Sequence, residues 1–259
     1  MKYFVVADVH GFFDELMRSL DEKGFDKNNP DHTFVSLGDL MDRGRKPLEC
    51  LKFVNSLERK ILVRGNHEDL LDECLNRGYP MSHDISNGTA TTIEILYNEV
   101  VGEHTYQRER IASAVDNGEE LNKYRKSLVD YAEVGDKIFV HGWIPCDSDE
   151  RSKYKSRDVK YSFDPEWRTG DWERARWING MDAWNQGVRV PDKTIYCGHW
   201  HASWGNSKLH NDGLEFPNLR STNPEHRKAN FDPFIDDGIV ACDTCTAYSG
   251  RVNCVVTED

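Results

Sequence analysis

Basic side chains are outnumbered in this 259-residue chain, where 33 Lys and Arg stand against 45 Asp and Glu for a net charge of −12 at pH 7. Extended binding to nucleic acid or to an anionic membrane surface requires clustered Lys and Arg. The charge balance therefore disfavours both kinds of partner. A chain of this length can bury a sizeable core, and we expect one domain over residues 1–259.

Long hydrophobic runs are also missing. No apolar stretch reaches the roughly 18 residues of a membrane-spanning helix, and the apolar run before Asp8 is too short for the core of a secretion signal. The seven cysteines are odd in number and scattered, which is typical of reduced thiols. Cys242 and Cys245 have the spacing of a zinc-binding pair, but no second pair accompanies them, so we interpret them as structural or incidental thiols. We expect a soluble, cytoplasmic protein.

Five short, apolar, β-prone runs are each followed by polar residues that can bind metals. The runs cover residues 3–7, 33–37, 61–63, 137–140 and 194–197. In an open α/β sheet the carboxyl ends of the strands form one edge, where loops distant in sequence converge. This edge would carry Asp8, His10, Asp39, Asp42, Asn66, His67, His141, His199 and His201.

Oxygen and imidazole ligands in such density suit divalent manganese, iron or zinc. A single Asp after a strand is usually a helix N-cap, and a single His is usually a surface residue or one with ordinary hydrogen bonds. Repetition of the pattern at five strand ends favours a metal site over these ordinary roles.

The same residues fall into short motifs. In order along the chain they are D-x-H-G from Asp8, G-D-x-x-D-R-G from Gly38, G-N-H-E from Gly65, H-G at His141 and G-H at Gly198. The sequence thereby resembles the calcineurin-like metallophosphoesterases, and within them the phosphoprotein phosphatase branch, which includes phage lambda-type serine/threonine phosphatases and bacterial diadenosine tetraphosphatases. The resemblance implies a mixed α/β fold: a four-layer αββα sandwich of two mixed β-sheets.

The resemblance also implies a site with two divalent cations, manganese first and iron or zinc as alternatives. Asp39 would bridge them, with Asp8 and His10 on the first metal and a second set made of Asn66, His141 and His199. His201 would complete the first metal in the wider superfamily, although that position is usually not a ligand in the phosphatase branch; we include it among the expected ligands. Two cations about 3.5–4 Å apart neutralise phosphate oxygens and acidify a bridging water to hydroxide, the expected nucleophile.

Proton transfer and phosphate binding are assigned to further residues. By the resemblance His67 is not bound to metal; held by Asp42, it would protonate the departing oxygen. Arg43 and Arg64 flank ligand motifs, and a guanidinium matches phosphate oxygens bidentately. Arg174 belongs to a W-x-R-x-R segment like that of the lambda-type phosphatases, and we expect it to be a third phosphate contact.

Two regions interrupt the alternation of strands and helices. Residues 69–132 predict a helical insertion, with helices near 89–97, 107–115 and 121–131, which would either cover the active edge or form a solvated appendage. Residues 143–204 hold all seven Trp. There, Trp177, Met181 and Trp184 recur at helical spacing and predict a core-facing stripe, while part of the Trp set would line the site. The sequence predicts a long surface loop over residues 205–234. It predicts two closing strands over residues 238–243 and 251–256.

Three functions remain open at this point. The first is a metal-dependent phosphomonoesterase of the serine/threonine protein phosphatase type. Glu68 favours it weakly, because in the dinucleotide-hydrolase branch of the family that the chain resembles this motif more often ends in Asp. The second is a symmetrical dinucleoside-tetraphosphate hydrolase or nucleotide phosphatase, favoured weakly by indoles on which a base can stack. The third is a metal-stabilised binding module without turnover, which the complete set of ligands and acid disfavours.

Overall fold

The computed structural model describes residues 1–101, 118–149, 159–218 and 228–259. Its strands are Lys2–Val6 (β1), His32–Ser36 (β2), Lys60–Val63 (β3), Leu128–Val129 (β4), Ala132–Val134 (β5), Lys137–Phe139 (β6), Cys146–Ser148 (β7), Tyr161–Phe163 (β8), Thr194–Cys197 (β9), Phe234–Asp236 (β10), Ile239–Ala241 (β11) and Cys254–Glu258 (β12). Its α-helices are Phe13–Glu22 (α1), Pro47–Ser56 (α2), Asn66–Arg77 (α3), Ser82–Asn87 (α4), Thr89–Val101 (α5), Glu119–Ser127 (α6), Trp172–Ala175 (α7), Gly180–Asn185 (α8), Ala202–Lys208 (α9) and Thr246–Ser249 (α10).

Two five-stranded mixed sheets form the centre of the protein. In the first the order is β12-β1-β2-β3-β4, with β1 to β4 parallel and β12 antiparallel to β1. In the second the order is β10-β11-β9-β6-β5, with three parallel strands between two antiparallel edge strands. The five strands expected to precede the motifs are all present, as β1, β2, β3, β6 and β9.

The alternation of side chains along each strand separates the layers. In β1, Phe4 and Val6 face the helices outside the first sheet, whereas Tyr3 and Val5 face the second sheet. Phe139 of β6 packs into this central layer from the opposite side. A third cluster covers the outer face of the second sheet. The expected four-layer αββα sandwich is therefore confirmed.

The segment after β3 is helical, as expected, and its described part belongs to the core. Ile93 and Leu96 of α5 and Leu121 and Tyr124 of α6 are buried in the same cluster as β1 and α2. This packing does not fit a solvated appendage. The helix expected over 107–115 lies outside the described residues. Among the residues that the structure describes, no helix is both long and apolar enough to cross a membrane.

One expectation for the second half of the chain was wrong. Trp177, Met181 and Trp184 do not share a helix, because α7 ends before Trp177 and the side chain of Asn179 caps a new helix, α8, by accepting from the backbone N of Asp182. The surface loop expected over residues 205–234 is confirmed for 209–218 and 228–233, while its first residues belong to α9 and Phe234 begins β10. The closing strands are confirmed as β11 and β12, with α10 between them.

Candidate metal centre

The loops that follow β1, β2, β3, β6 and β9 meet at one edge of the two sheets. Within the first sheet, His10 N donates to Asp39 O at 2.9 Å. Between the sheets, His199 N donates to Asp8 Oδ2 at 2.8 Å. In the second sheet Gly198 N donates to His141 O at 2.7 Å. These bonds join motifs far apart in sequence, as the edge argument required.

Two motif glycines allow this close approach. A methyl group added to Gly65 would lie 2.2 Å from Asp39 Oδ1, and one added to Gly198 would lie 2.3 Å from Asp8 Oδ2. Both contacts are far inside van der Waals distance, so any larger residue would push a carboxylate out of the site.

Left-handed backbone is concentrated at the same edge. A non-glycine residue with positive φ is uncommon and costs about 1 kcal/mol or more. Six residues of the motifs adopt it, with φ between 51° and 72°: Asp8, His10, Asp39, Asp42, Arg43 and His199. The surrounding hydrogen bonds hold these conformations, which aim the side chains into a common space.

Asp39 lies between two groups of imidazoles. On one side, its Oδ2 is 3.8 Å from His10 Nε2 and 3.9 Å from His67 Nε2. On the other, its Oδ1 is 3.4 Å from His141 Nε2. His10, Asp39 and His67 form one candidate metal-binding group, and Asp39, His141 and His199 form another. A carboxylate shared in this way has the arrangement needed to bridge two ions.

Hydrogen bonds from the far side of each ring orient the imidazoles. His10 Nδ1 donates to Met41 O at 3.0 Å and His141 Nδ1 donates to Leu37 O at 2.7 Å, so both rings present Nε2 to Asp39. A backbone partner of this kind fixes the tautomer of a ligating histidine.

Asn66 joins the second group through its side-chain oxygen. Asn66 Oδ1 lies 2.8 Å from both His141 Nε2 and His199 Nδ1. His199 is oriented by a hydrogen bond with the backbone of Trp177, whose indole also packs 5.8 Å from the imidazole. The three expected ligands of the second metal therefore converge.

The carboxylates at this edge repel one another. Burial raises the pKa of Asp8 well above its usual value, and the charges of Asp243 and Asp39 raise it further. Burial raises the pKa of Asp243 to about 7, with a further contribution from Asp39. Burial also raises the pKa of Asp39, but the surrounding imidazoles outweigh burial and hold this pKa below its usual value. Buried, mutually repelling carboxylates are stabilised by a cation.

The imidazoles, in contrast, favour the neutral form that binds metal. Burial lowers the pKa of His10 well below its usual value, assisted by the charges of His67 and Arg43. Burial is also the main reason why the pKa of His141 is lowered and that of His199 falls to about 3. Neutral imidazoles beside carboxylate and amide oxygens form a donor set that fits divalent cations such as manganese, iron or zinc.

His67 differs from the other imidazoles. Its Nδ1 donates to Asp42 Oδ2 at 2.7 Å in a buried pair. Burial on its own lowers the pKa of His67, but the charge of Asp39 and the bond to Asp42 outweigh burial and raise that pKa above its usual value. The surroundings of His67 therefore favour its protonated form, unlike those of the other imidazoles at this edge, as expected for a general acid.

The helical insertion supports Asp42. Thr89 Oγ1 donates to Asp42 Oδ2 at 2.6 Å, and Asp42 N donates to Thr92 Oγ1 at 3.0 Å. Both threonines are fully buried in α5. Sequence reasoning missed them because nothing in the sequence around α5 links it to a motif some 50 residues earlier.

The three expected phosphate-binding arginines are placed differently. Arg43 lies directly at the site, with Nη1 2.9 Å from His10 Nε2 and Nη2 3.1 Å from His67 Nε2. Arg64 is half-buried and donates from Nε and Nη2 to Asp69 and Asp72. Arg174 donates to Ser148 Oγ of β7. The structure thus brings Arg43 to the imidazoles and engages Arg64 and Arg174 elsewhere.

His201 stands apart from both candidate groups. Its Nδ1 lies 3.1 Å from Ser203 Oγ and its Nε2 lies 3.4 Å from Glu215 Oε1. Burial lowers the pKa of His201 to about 4. In this conformation neither ring nitrogen is directed at Asp39, and the metal role expected for His201 stays a prediction.

Glu68 has a role that the sequence did not reveal. Its carboxylate accepts from the backbone N of Asp39 at 2.9 Å, of Leu40 at 3.1 Å and of Gly65 at 2.8 Å. It also accepts from Tyr124 Oη at 2.9 Å. Four donors around one buried carboxylate hold the Asp39 loop against the turn that carries Asn66.

Comparisons with known proteins agree with this geometry. Residues 1–224 match the family model described as calcineurin-like phosphoesterase. A solved structure of a putative diadenosine tetraphosphatase aligns with 98% of this chain and 88% of its own at a TM-score of 0.52 and 15% identity, a likeness of fold.

Curated relatives match over shorter stretches. The asymmetrical bis(5'-nucleosyl)-tetraphosphatase PrpE of Bacillus velezensis is 29% identical over 169 residues, 62% of each chain. The symmetrical bis(5'-nucleosyl)-tetraphosphatase of Psychromonas ingrahamii is 46% identical over 69 residues, 26% of this chain and 24% of its own. The serine/threonine-protein phosphatase PP1-delta of Caenorhabditis elegans is 42% identical over 69 residues, 25% and 22% of the two chains. The family match covers every motif at the sheet edge, and the chain belongs to the calcineurin-like phosphoesterase family of hydrolases.

Proposed function

We propose that this protein is a divalent-metal-dependent phosphohydrolase whose substrates are dinucleoside tetraphosphates. The observation that carries the metal-dependent chemistry is the position of Asp39, whose two carboxylate oxygens face separate imidazole groups. We assign Asp8 and His10 to the first ion, and Asp39 is shared by both ions. The ligands assigned to the second ion are Asn66, His141 and His199. Manganese is the metal proposed first, and His201 remains a candidate ligand of the first ion.

Bound at this edge, two divalent cations would neutralise phosphate oxygens and lower the pKa of an attacking water. The protein contributes the remaining steps. Its carboxylates and neutral imidazoles would hold the ions, and the left-handed loops orient these side chains in advance.

His67 would supply the proton to the leaving oxygen. Asp42 orients the ring through Nδ1, which leaves Nε2 facing the site. The raised pKa of His67 favours the protonated ring that a general acid requires. Arg43, whose guanidinium lies beside the same Nε2, would hold a phosphoryl group by paired hydrogen bonds. Arg64 and Arg174 would reach phosphate only after leaving their present partners.

The substrate class rests on the relatives. The first of those above is named for asymmetrical and the second for symmetrical cleavage of bis(5'-nucleosyl) tetraphosphates. Hydrolysis of phosphoserine or phosphothreonine is the second candidate, which the similarity to PP1-delta over 69 residues favours. An alkoxide leaving group also gains most from the proton of His67.

A cytoplasmic location is part of the proposal. All seven cysteines are free thiols, including Cys242 and Cys245, and five of them are buried. Reduced thiols in this number fit a reducing compartment.

Metal content tests the shared carboxylate. Asp39→Asn should lose both ions because each group includes Asp39, whereas His199→Ala should keep the ion of the other group. Metal analysis after gel filtration in manganese buffer would measure this, with the exposed Asp14→Asn as the matched control. Equal loss from Asp39→Asn and His199→Ala would contradict a bridging role.

Replacement of the proton donor tests His67. His67→Asn should lower kcat about 10²–10⁴-fold on a phosphomonoester with a poor leaving group, because no proton is delivered to the departing oxygen. The effect should be much smaller with p-nitrophenyl phosphate, and the metal content should not change. His83→Asn, a more exposed histidine, serves as control. Equal turnover by His67→Asn and the wild type on the poor leaving group would remove His67 from the mechanism.

The pH dependence tests the pair formed by His67 and Asp42. The acid acts only while protonated, so kcat on a poor leaving group should fall as pH rises through the raised pKa of His67. Asp42→Asn removes a charge and a hydrogen bond that raise this pKa, and the falling limb should move to lower pH. A limb that stays in place in the variant would show that another group donates the proton.

A comparison of two substrates tests the proposed substrate class. The manganese-loaded protein should hydrolyse diadenosine tetraphosphate with a higher kcat/KM than a phosphoserine peptide in matched, separate reactions. Product analysis would show the cleavage position, because symmetrical cleavage gives two ADP and asymmetrical cleavage gives ATP and AMP. Turnover of the peptide alone would reject the nucleotide proposal in favour of the protein phosphatase.

A further inference from the structure

A continuous series of aromatic contacts leads from the metal centre to the protein surface. The ring centroids of His199 and Trp200 lie 6.1 Å apart, those of Trp200 and His201 6.1 Å apart and nearly parallel, and those of His201 and Phe216 4.6 Å apart. Phe216 then contacts Tyr248 at 5.4 Å in an edge-to-face arrangement. The series therefore starts at a candidate ligand and ends at two surface rings.

The far end of the series is also tied to the metal centre. Tyr248 belongs to α10, and the first residue of this helix, Thr246, donates from Oγ1 to Asp8 O at 2.8 Å. His201, at the near end, is two residues from His199 in the chain. Both sides of the aromatic surface are thus held by residues that neighbour candidate ligands.

Phe216 and Tyr248 are unusually open for contacting aromatic rings. Phe216 is 42% exposed and Tyr248 is 48% exposed, while Phe231 lies buried behind them and contacts both rings. Phe231 fixes the two rings from behind, and their outer faces remain accessible to a ligand.

The size and chemistry of this surface indicate what would cover it. Two exposed rings fall far short of the roughly 800 Å² per partner that a stable dimer or protein complex buries, so a single flat ring is a better match. Glu215 precedes Phe216, and its Oε1 lies 3.4 Å from His201 Nε2. A carboxylate at the edge of an aromatic surface accepts hydrogen bonds from the exocyclic amino group of a base.

From this arrangement we infer that Phe216 and Tyr248 form the stacking surface for one nucleobase of the substrate, which would lie flat on one ring and meet the other edge-on, with Glu215 at its edge. The inference rests on the proposed function and names the residues that would select a nucleotide over a phosphoprotein. The base would lie on the exposed rings while the ribose and phosphates extend along the aromatic series to Asp39 and Arg43. Stacking on aromatic side chains tolerates any base, so discrimination between bases would come from Glu215.

The test compares a substrate that has a base with one that has no ring. Diadenosine tetraphosphate and 2-glycerophosphate would be assayed with the manganese-loaded wild type and with Phe216→Ala, Tyr248→Ala and the double variant. Loss of a stacking partner should raise KM for the dinucleotide about 5- to 150-fold with a smaller change in kcat. The ratio of kcat/KM for the dinucleotide to that for 2-glycerophosphate should fall by the same factor.

Matched variants separate stacking from other effects. Tyr248→Phe keeps the ring and should behave as the wild type, and Phe163→Ala removes an exposed ring from β8 and should leave the ratio unchanged. Metal content and the thermal unfolding midpoint of each variant would verify the fold. An unchanged ratio in the double variant, with the dinucleotide still hydrolysed by the wild type, would overturn the stacking surface and leave the proposed function intact. Failure of the wild type to hydrolyse the dinucleotide while it hydrolyses 2-glycerophosphate would overturn both.

Discussion

The buried carboxylate of Glu68 is the interaction on which the site depends. It accepts hydrogen bonds from three backbone N–H groups in two different loops and from the hydroxyl of Tyr124. A buried carboxylate is costly unless it is fully hydrogen-bonded, and here the donors that satisfy it are the loops that carry Asp39 and Asn66. The hydrogen bonds that satisfy this buried group therefore fix the separation of Asp39 and Asn66, the proposed metal ligands.

The helical segment after β3 completes this arrangement. Tyr124 from α6 reaches Glu68, and Thr89 and Thr92 from α5 reach Asp42. The segment therefore supports the loop of Asp39 and the carboxylate that orients His67, the proposed proton donor, through buried hydrogen bonds. The helices α5 and α6 also pack into the core beside the first sheet. The positions of Asp39 and Asp42 therefore depend on how these helices pack in that core.

Backbone conformation explains how so many polar groups share a small volume. Left-handed residues turn the chain sharply after each strand, and Gly65 and Gly198 allow the next loop to approach a carboxylate. These conformations are unfavourable by themselves, and the cross-loop hydrogen bonds hold them. Charge repulsion among the carboxylates opposes this close approach of the loops. Divalent cations at the site would relieve that repulsion.

Local sequence patterns determined the strands and the candidate ligands, whereas the four-layer architecture was expected from the family resemblance. Apolar runs followed by Asp, His or Asn identified the strands and the edge at which they end, because strand polarity and the parallel sheet bring such ends together.

Tertiary packing decided the direction of each side chain. The sequence treats Arg43, Arg64 and Arg174 as equivalent, but only Arg43 among these three is placed beside His10 and His67, because acidic residues of α3 engage Arg64 and Ser148 engages Arg174. The supporting contacts of Thr89 and Tyr124, and the meeting of Phe216 with Tyr248, join residues that no local pattern connects. A local pattern specifies which groups a segment offers, whereas long-range packing selects the partners that those groups meet.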